Sequence, residues 1–326
     1  MKYDTVEICL WNLCNADCPM CLYSCNPSSQ GKLEPDIVRD IIKQAGTDER
    51  ITKVVLTGGE PFLDKDFILE ILHLGMVNGL YMICLTNGFW CENFQETYAF
   101  LRELKRNGLR EIITSVDAYH RSFVDGHHIK NLLAALRELD IPSQVTVTLD
   151  QYNSANTFGY LKELDRWLCD TRVVFGRALP YRFHRPSACQ GTCLLGGRGD
   201  KLRCNVGSTL YVHYDGDVYG CCFMPLSNNN DLVLGSVYRD SLSTILNTGG
   251  TNLFMNYLLM EQLPALFDYL KHAGHEVDRA YAGGCDFCIG SISDESCWKS
   301  IVPLLKQKEA AIARFIYLRE RYSVHS

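Results

Sequence analysis

The chain has 326 residues, 47% of them hydrophobic, enough for one large domain with an appendage or for two domains. A net charge of −6 argues against tracking a nucleic-acid backbone. No signal-peptide pattern or eighteen-residue apolar run is present, so the sequence reads as a soluble, cytoplasmic protein without a membrane segment. Sixteen cysteines, several at ligand-type spacings, point to the reduced cytosol and to metal or cluster chemistry rather than to a disulfide framework.

In chain order the first half alternates strands with helices. Val6–Leu13 reads as a strand, and Pro35–Ala45 as a helix with Pro35 in its first turn and Ile37, Ile41 and Ile42 on one face. Thr52–Thr57 is a second strand, and Asp64 caps a helix carrying Phe67, Ile68, Ile71, Leu72 and Met76. Tyr81–Thr86, Glu111–Val116, Val145–Leu149 and Arg172–Phe175 are further strands. The helices between them are marked by Phe94, Tyr98, Leu101 and Leu104, by Ile129, Leu132, Leu133 and Leu136, and by Phe158, Leu161, Leu164 and Leu168. About six βα units imply a parallel sheet with right-handed crossovers, whose strand-end loops gather at one mouth. From Pro180 to Arg203 the pattern breaks into a linker. Thr209–Tyr214 and Val218–Cys221 form a hairpin about Asp215-Gly216, helical segments follow near Leu253–His272, and an amphipathic helix from about Leu304 to Tyr322 closes the chain.

The chemistry-bearing residues all fall at the expected mouth. Cys14, Cys18 and Cys21, spaced CxxxCxxC, follow the first strand. Gly58-Gly59-Glu60 follows the second, Asn87 the third, and Ser115 and Asp117 end the fourth. Three thiolates in a compact loop suit one face of an iron–sulfur cluster, because a closed site wants four protein ligands and three leave one iron open. Two glycines let backbone approach a ligand closely, and a glutamate accepts hydrogen bonds from an ammonium. Taken alone, each has an ordinary reading: chance cysteines in a Cys-rich chain, a tight turn, and strand-end caps at Ser115 and Asp117.

Together these motifs resemble the radical S-adenosylmethionine (radical SAM) superfamily over about the first 180 residues. The resemblance implies a partial (β/α)6 barrel at 1–180. Cys14, Cys18 and Cys21 would hold a [4Fe–4S] cluster whose open iron takes the methionine part of SAM. Gly58, Gly59 and Glu60 would hold the methionine amino group, with Asn87, Ser115 and Asp117 at the ribose and carboxylate. Met20 stands where the family usually has an aromatic residue before the third cysteine; a thioether still packs on adenine.

The second half, 181–326, resembles the Twitch variant of the SPASM extension: a linker, a small hairpin-and-helix domain and a C-terminal helix. Cys204, eleven residues, Gly216, four residues and Cys221 fit its opening pattern, and Cys285-Asp286-Phe287-Cys288 supplies the closing pair. Four thiolates suit one auxiliary [4Fe–4S] cluster, and a zinc site would use the same spacings. Only Cys297 follows Cys288, so one auxiliary cluster is expected. Asn87-Gly88-Phe89-Trp90, Asp117-Ala118-Tyr119-His120, Asp217-Val218-Tyr219-Gly220-Cys221-Cys222 and Cys285-Asp286-Phe287-Cys288-Ile289-Gly290-Ser291 are similar to the peptide epimerases that make epipeptides, in which the second cysteine of the pair gives a hydrogen atom to the substrate radical. That role falls on Cys222.

The implied partners are a ribosomal peptide or small polar natural product and an electron donor such as flavodoxin or ferredoxin, with no nucleic acid and no membrane. Rival readings are a carbohydrate or aminoglycoside epimerase, a Twitch dehydrogenase or peptide cross-linking enzyme, and a non-catalytic metal-binding protein. Only five residues precede Val6, so a peptide is expected to be held by the barrel mouth and the extension. Cys9, Cys84 and Cys169 read as core residues, and Cys189 and Cys193 as linker thiols.

Overall fold

The computed structural model describes residues 3–150, 152–178, 202–204, 207–279 and 281–322. The barrel half runs β1 (Thr5–Cys9), α1 (Pro35–Thr47), β2 (Lys53–Thr57), α2 (Lys65–Val77), β3 (Tyr81–Thr86), α3 (Phe94–Arg106), β4 (Leu109–Ser115), α4 (Ala118–Arg121), α5 (Gly126–Glu138), β5 (Ser143–Leu149), α6 (Ser154–Glu163), α7 (Asp165–Leu168) and β6 (Arg172–Arg177). The extension adds β7 (Thr209–Val212), β8 (Asp217–Tyr219), β9 (Gly235–Ser236), α8 (Leu242–Thr251), α9 (Leu253–His272), α10 (Gly284–Ser293) and α11 (Glu295–Tyr322). One nine-stranded sheet holds both, in the order β6-β5-β4-β3-β2-β1-β7-β8-β9. The six barrel strands are parallel, β7 joins parallel to β1, and β8 and β9 are antiparallel additions. The α/β partial barrel and the appended hairpin are as the sequence predicts.

Alternation along each strand divides core from cavity. Val6 and Ile8 are fully buried in the main core, which also takes in Leu56, Tyr211, Ile289 and Ile301 and so spans barrel and extension. Partners across a parallel ladder share a face. Glu7 stands opposite Val55 and Tyr211, Leu85 opposite Ile113, and Ser115 opposite Thr146. Thr57, Ser115, Thr146 and Thr148 line a cavity at the strands' C-terminal ends. Strands buried on both faces read as continuous apolar runs; these carry hydroxyls because one face opens on that cavity. The helices are ended by the expected chemistry: Asp64 accepts from the Phe67 N–H at 3.0 Å, and Asn93 from Gln95 and Glu96.

Several boundaries differ from the sequence reading. β1 stops at Cys9, and Leu10–Leu13 leaves the sheet to pair loosely across its own loop, Trp11 with Lys32 and Leu13 with Asn26. The helix striped by Phe158–Leu168 is broken at Leu164 into α6 and α7, and α8 was not foreseen. α9 bends at Gln262 (φ 67°), two residues before Pro264, which lacks the N–H a straight helix needs. Cys169 is exposed at the end of α7 rather than in the core, whereas Cys9 and Cys84 are fully buried. The boundary at 180/181, Cys189 and Cys193 lie outside the described residues. Among the described residues no helix is long and apolar enough to cross a membrane.

Candidate functional site

The loop after β1 gathers its thiols by local hydrogen bonding. The Cys21 N–H donates to the Cys18 carbonyl at 3.0 Å and the Ser24 N–H to the Cys21 carbonyl at 3.2 Å. Cys14, Cys18 and Cys21 line one wall of a cavity of about 260 Å³, with Met20 and Cys25 beside them. Burial pushes the Cys14 thiol up to about 11, and Cys18 higher still. Cys21 departs downward because the Cys25 thiol hydrogen-bonds it.

The loop after β2 lies flat on that cysteine loop. The Gly59 N–H donates to the Trp11 carbonyl at 2.7 Å and the Glu60 N–H to the Leu13 carbonyl at 3.0 Å. A Cβ at Gly59 would stand 2.0 Å from the Leu13 oxygen, and one at Gly58 2.6 Å from the Trp11 oxygen. The glycines therefore serve loop-on-loop contact as well as cavity access. Glu60 is fully buried. Its Oε1 accepts from the Phe62 N–H (3.0 Å) and the Thr86 hydroxyl (2.9 Å), and its Oε2 from the Asn87 N–H (2.7 Å). Burial outweighs these bonds and raises its pKa to about 7. What this loop shows to the cavity is Gly58, Gly59 and Pro61, so the carboxylate expected to meet a ligand ammonium is occupied chiefly as a strut between two strand-end loops.

Asp117 is held in a similar way. It is fully buried and caps α4, accepting from the Tyr119 and His120 N–H groups at 3.0 Å and from the Thr148 N–H at 3.2 Å. The His120 Nδ1 lies 2.9 Å from its Oδ1. Burial works to raise its pKa, but the charge and hydrogen bonds of His120 hold it below the usual carboxylate range. His120, not Asp117, reaches the cavity, with Asn87, Ser115, Thr146 and Thr148. Asn87 donates to the Asn15 side chain at 2.8 Å, and Ser115 pairs with Thr146 at 3.2 Å. Sequence reasoning assigned no role to His120. The signal was there in Asp117-x-x-His120, the spacing of a capping residue and the side chain one turn on.

In the extension, Cys204, Cys221, Cys285 and Cys288 line one small pocket of about 30 Å³, closed by apolar Met224, Leu258, Leu263 and Ile289. Cys221 and Cys222 lie in the turn after β8, not on a strand, and Cys285 and Cys288 come from the first turns of α10, not from a loop. A Cβ at Gly284 would stand 2.1 Å from the Arg203 carbonyl, so this glycine brings α10 against the Cys204 segment. Four thiols in an apolar pocket fit a closed iron–sulfur site. Half-buried Cys222 is outside that lining. Its carbonyl accepts a hydrogen bond from Tyr23, whose ring stacks on Tyr211 (5.6 Å, 15°) and packs against the cysteine loop. Tyr23 thus joins the two cysteine groups.

The family model of the radical SAM superfamily matches residues 8–157, and that of SPASM, an iron–sulfur cluster-binding domain, matches residues 204–261. The chain belongs to the radical SAM superfamily. Its cofactors are a SAM-binding [4Fe–4S] cluster, SAM and an auxiliary iron–sulfur cluster in the SPASM domain. A curated relative, YydG of Bacillus subtilis (strain 168), named for peptide biosynthesis, is 26% identical over 279 residues, covering 83% of this chain and 85% of its own. A GTP 3′,8-cyclase of Alkaliphilus oremlandii (strain OhILAs) is 27% identical but covers only 42% of this chain and 43% of its own. Among solved structures, anSMEcpe with bound AdoMet and Cp18Cys peptide is 14% identical with a TM-score of 0.58, covering 94% of this chain and 99% of that one. Streptococcus suis SuiB bound to precursor peptide SuiA is 11% identical with a TM-score of 0.56, covering 76% and 65%. At these identities the structures share the fold.

Proposed function

We propose that this radical SAM enzyme epimerises a residue of a ribosomal peptide. Cys14, Cys18 and Cys21 hold the SAM-binding cluster, Cys204, Cys221, Cys285 and Cys288 hold the auxiliary cluster, and Cys222 is the hydrogen donor. When bound, the cluster and SAM supply a 5′-deoxyadenosyl radical able to take hydrogen from an unactivated C–H bond. The chain's own part is to bind, orient and shield. Gly58 and Gly59 offer backbone to the methionine end of SAM. Asn87, Ser115 and His120 offer polar atoms to its ribose and carboxylate, with Asp117 and Glu60 fixing those groups from behind. The walled mouth keeps the target carbon close to the reacting centre and keeps water from it.

The observation that carries the epimerase reading is the place of Cys222. It follows an auxiliary ligand directly, stands outside that ligand pocket, and is tied through Tyr23 to the loop of the other cluster. A thiol so placed suits delivery of a hydrogen atom to a substrate radical; the thiyl radical this would leave on Cys222 returns to the thiol by taking one electron from the electron donor and one proton from solvent. The peptide reading is supported by YydG, named for peptide biosynthesis and similar along most of both chains. An electron donor such as flavodoxin or ferredoxin completes the proposal.

The test uses deuterated water and a synthetic ribosomal precursor peptide on which the enzyme acts. A thiol exchanges its proton with solvent and a carbon-bound hydrogen does not, so each inverted residue should gain one deuterium. Cys222→Ala keeps all seven proposed ligands and should still form 5′-deoxyadenosine, but inversion should fall at least a hundredfold. A product lighter by two hydrogens would identify a dehydrogenase. Normal inversion by Cys222→Ala would remove the role given to this residue.

A further inference from the structure

One carboxylate on the inner face of the barrel has no part in the site described above. Side chains alternate along each strand, and Thr57, Leu85, Ile113, Ser115 and Thr146, which line the cavity, mark that inner face. The opposite face is packed: Val6, Ile8, Leu56, Cys84 and Ile112 are all fully buried. Register fixes what continues the inner face below the cavity. Cys9 stands opposite Thr57, so Glu7, two residues earlier, lies one rung down, about 7 Å along the strand. On its rung stand Val55 and Ile83 to one side and Tyr211 to the other.

Glu7 is half-buried, and no hydrogen bond or ion pair with another described residue reaches its carboxylate. Burial alone raises its pKa, to about 7. The other charged residues on this face of the barrel strands are Lys53 one rung lower, Glu111 on β4 and Arg172 on β6, and none of them pairs with it. Beside it the wholly buried Tyr211 hydroxyl has no hydrogen-bond partner among the described residues either. The Tyr211 ring stacks on Tyr23, whose hydroxyl donates to the Cys222 carbonyl, so this rung lies below the cavity and beside the segment that carries Cys222. A carboxylate drawn out of water without a partner costs free energy. A neutral N–H would leave the charge in place, whereas an ammonium or guanidinium cancels it and adds charge-assisted hydrogen bonds.

We propose that Glu7 is a specificity residue of the substrate site, and that its carboxylate receives a basic side chain, lysine or arginine, of the peptide lying in the barrel. The inference rests on the peptide reading above but not on the fate of the target carbon, so its test needs no turnover.

The experiment follows binding of a labelled synthetic precursor peptide on which the enzyme acts, by fluorescence anisotropy, to the two-cluster protein with SAM and without reductant. Glu7→Gln keeps the shape and removes the charge. Its peptide affinity should fall about tenfold or more. Its SAM affinity, read by equilibrium dialysis, should not change, because Glu7 does not line the cavity. Peptides in which one lysine becomes norleucine, or one arginine citrulline, identify the partner. One such replacement should weaken binding to the parent about tenfold and binding to Glu7→Gln by less than about twofold, since the same interaction is lost in both. Without peptide, Glu7→Gln should melt above the parent at pH 8, because the unpaired charge is gone. Glu7→Met, uncharged and of similar length, takes its place if Gln does not fold. Equal peptide binding by parent and variant overturns the proposal, as do replacements that weaken both proteins alike. A variant that melts below the parent overturns it too, since the carboxylate would then hold a partner within the fold. Binding that depends on Glu7, with the peptide's chirality unchanged after turnover, would sink the epimerase reading and uphold this one.

Discussion

At the scale of single residues, the buried carboxylates Glu60 and Asp117 tie together the segments that frame the cavity. Glu60 and Asp117 were expected to meet a ligand. Both are fully buried; Glu60 accepts from the Phe62 and Asn87 N–H groups and the Thr86 hydroxyl, Asp117 from the Tyr119, His120 and Thr148 N–H groups, and His120, Asn87 and the glycines stand at the cavity wall. Glu60 gives a measurable consequence. Its pKa is raised from 4.5 to about 7 by burial, so the folded chain holds this proton more tightly than the unfolded chain does. For an acid shifted upward, that contribution favours folding below pH 4.5, is lost as pH rises through the window from 4.5 to about 7, and is flat above it. The loss amounts to about 3 kcal/mol at most. Glu60→Gln lacks this titration, but its amide nitrogen meets the Asn87 or Phe62 N–H, at a cost of about 1–3 kcal/mol. The variant should therefore be clearly less stable than the parent near pH 4.5, with the gap narrowing by pH 8. Chemical denaturation at the two pH values checks this; a gap that widens with pH would contradict the burial argument. Glu7, also raised to about 7 by burial, keeps part of the slope in both proteins.

At the scale of elements, what was legible and what was not follow from where the physical constraint lies. The six strands and their helices were readable because buried faces impose period on the sequence: Val38, Ile41, Ile42 and Ala45 in α1, or Ile129, Leu132, Leu133 and Leu136 in α5. The helical start of α10 was hidden, since Gly284 and the two cysteines in its first turns carry no helical signal of their own. The pairing of β7 with β1 was hidden too, because a long-range register leaves no local trace. The glycine pair was legible, but half its purpose was not. Gly59 faces backbone, with the Leu13 carbonyl 2.0 Å from where a Cβ would sit, and backbone cannot turn aside as a side chain can. Gly59→Ala must therefore part the loop after β2 from the cysteine loop and break the bonds to Trp11 and Leu13. The strands lie outside this contact, so the chain should fold, at a cost of about 1–3 kcal/mol. SAM affinity should drop at least tenfold, measured by equilibrium dialysis. Unchanged affinity would mean that the two loops need not touch to form the cavity.

At the scale of the molecule, the two cysteine groups hang from one sheet. β1 leads into the cysteine loop and pairs directly with β7, whose hairpin leads to Cys221; one hydrophobic core runs beneath both, and Tyr23 closes the connection at the top. The sheet and core do not depend on the three cysteines of the barrel loop, which sit with Ala16, Met20 and Ala178 in a small separate cluster. Cys288, by contrast, lies in the main core among Phe287, Ile289 and Ile292. Removing either site should then have unequal effects. The triple variant Cys14→Ala, Cys18→Ala, Cys21→Ala should fold, keep the auxiliary cluster with about half the iron of the parent if both clusters are equal, and form no 5′-deoxyadenosine. Cys288→Ala should lose auxiliary iron and also melt at a lower temperature than the triple variant, because a closed metal site contributes to folding and the proposed ligand here is part of the core. Iron and sulfide counts, melting curves and 5′-deoxyadenosine assays on the two proteins decide the matter. Persistent SAM cleavage by the triple variant would show that the first cluster is held elsewhere. A triple variant that melts below Cys288→Ala would show that the cysteine loop, not the auxiliary site, ties the sheet together.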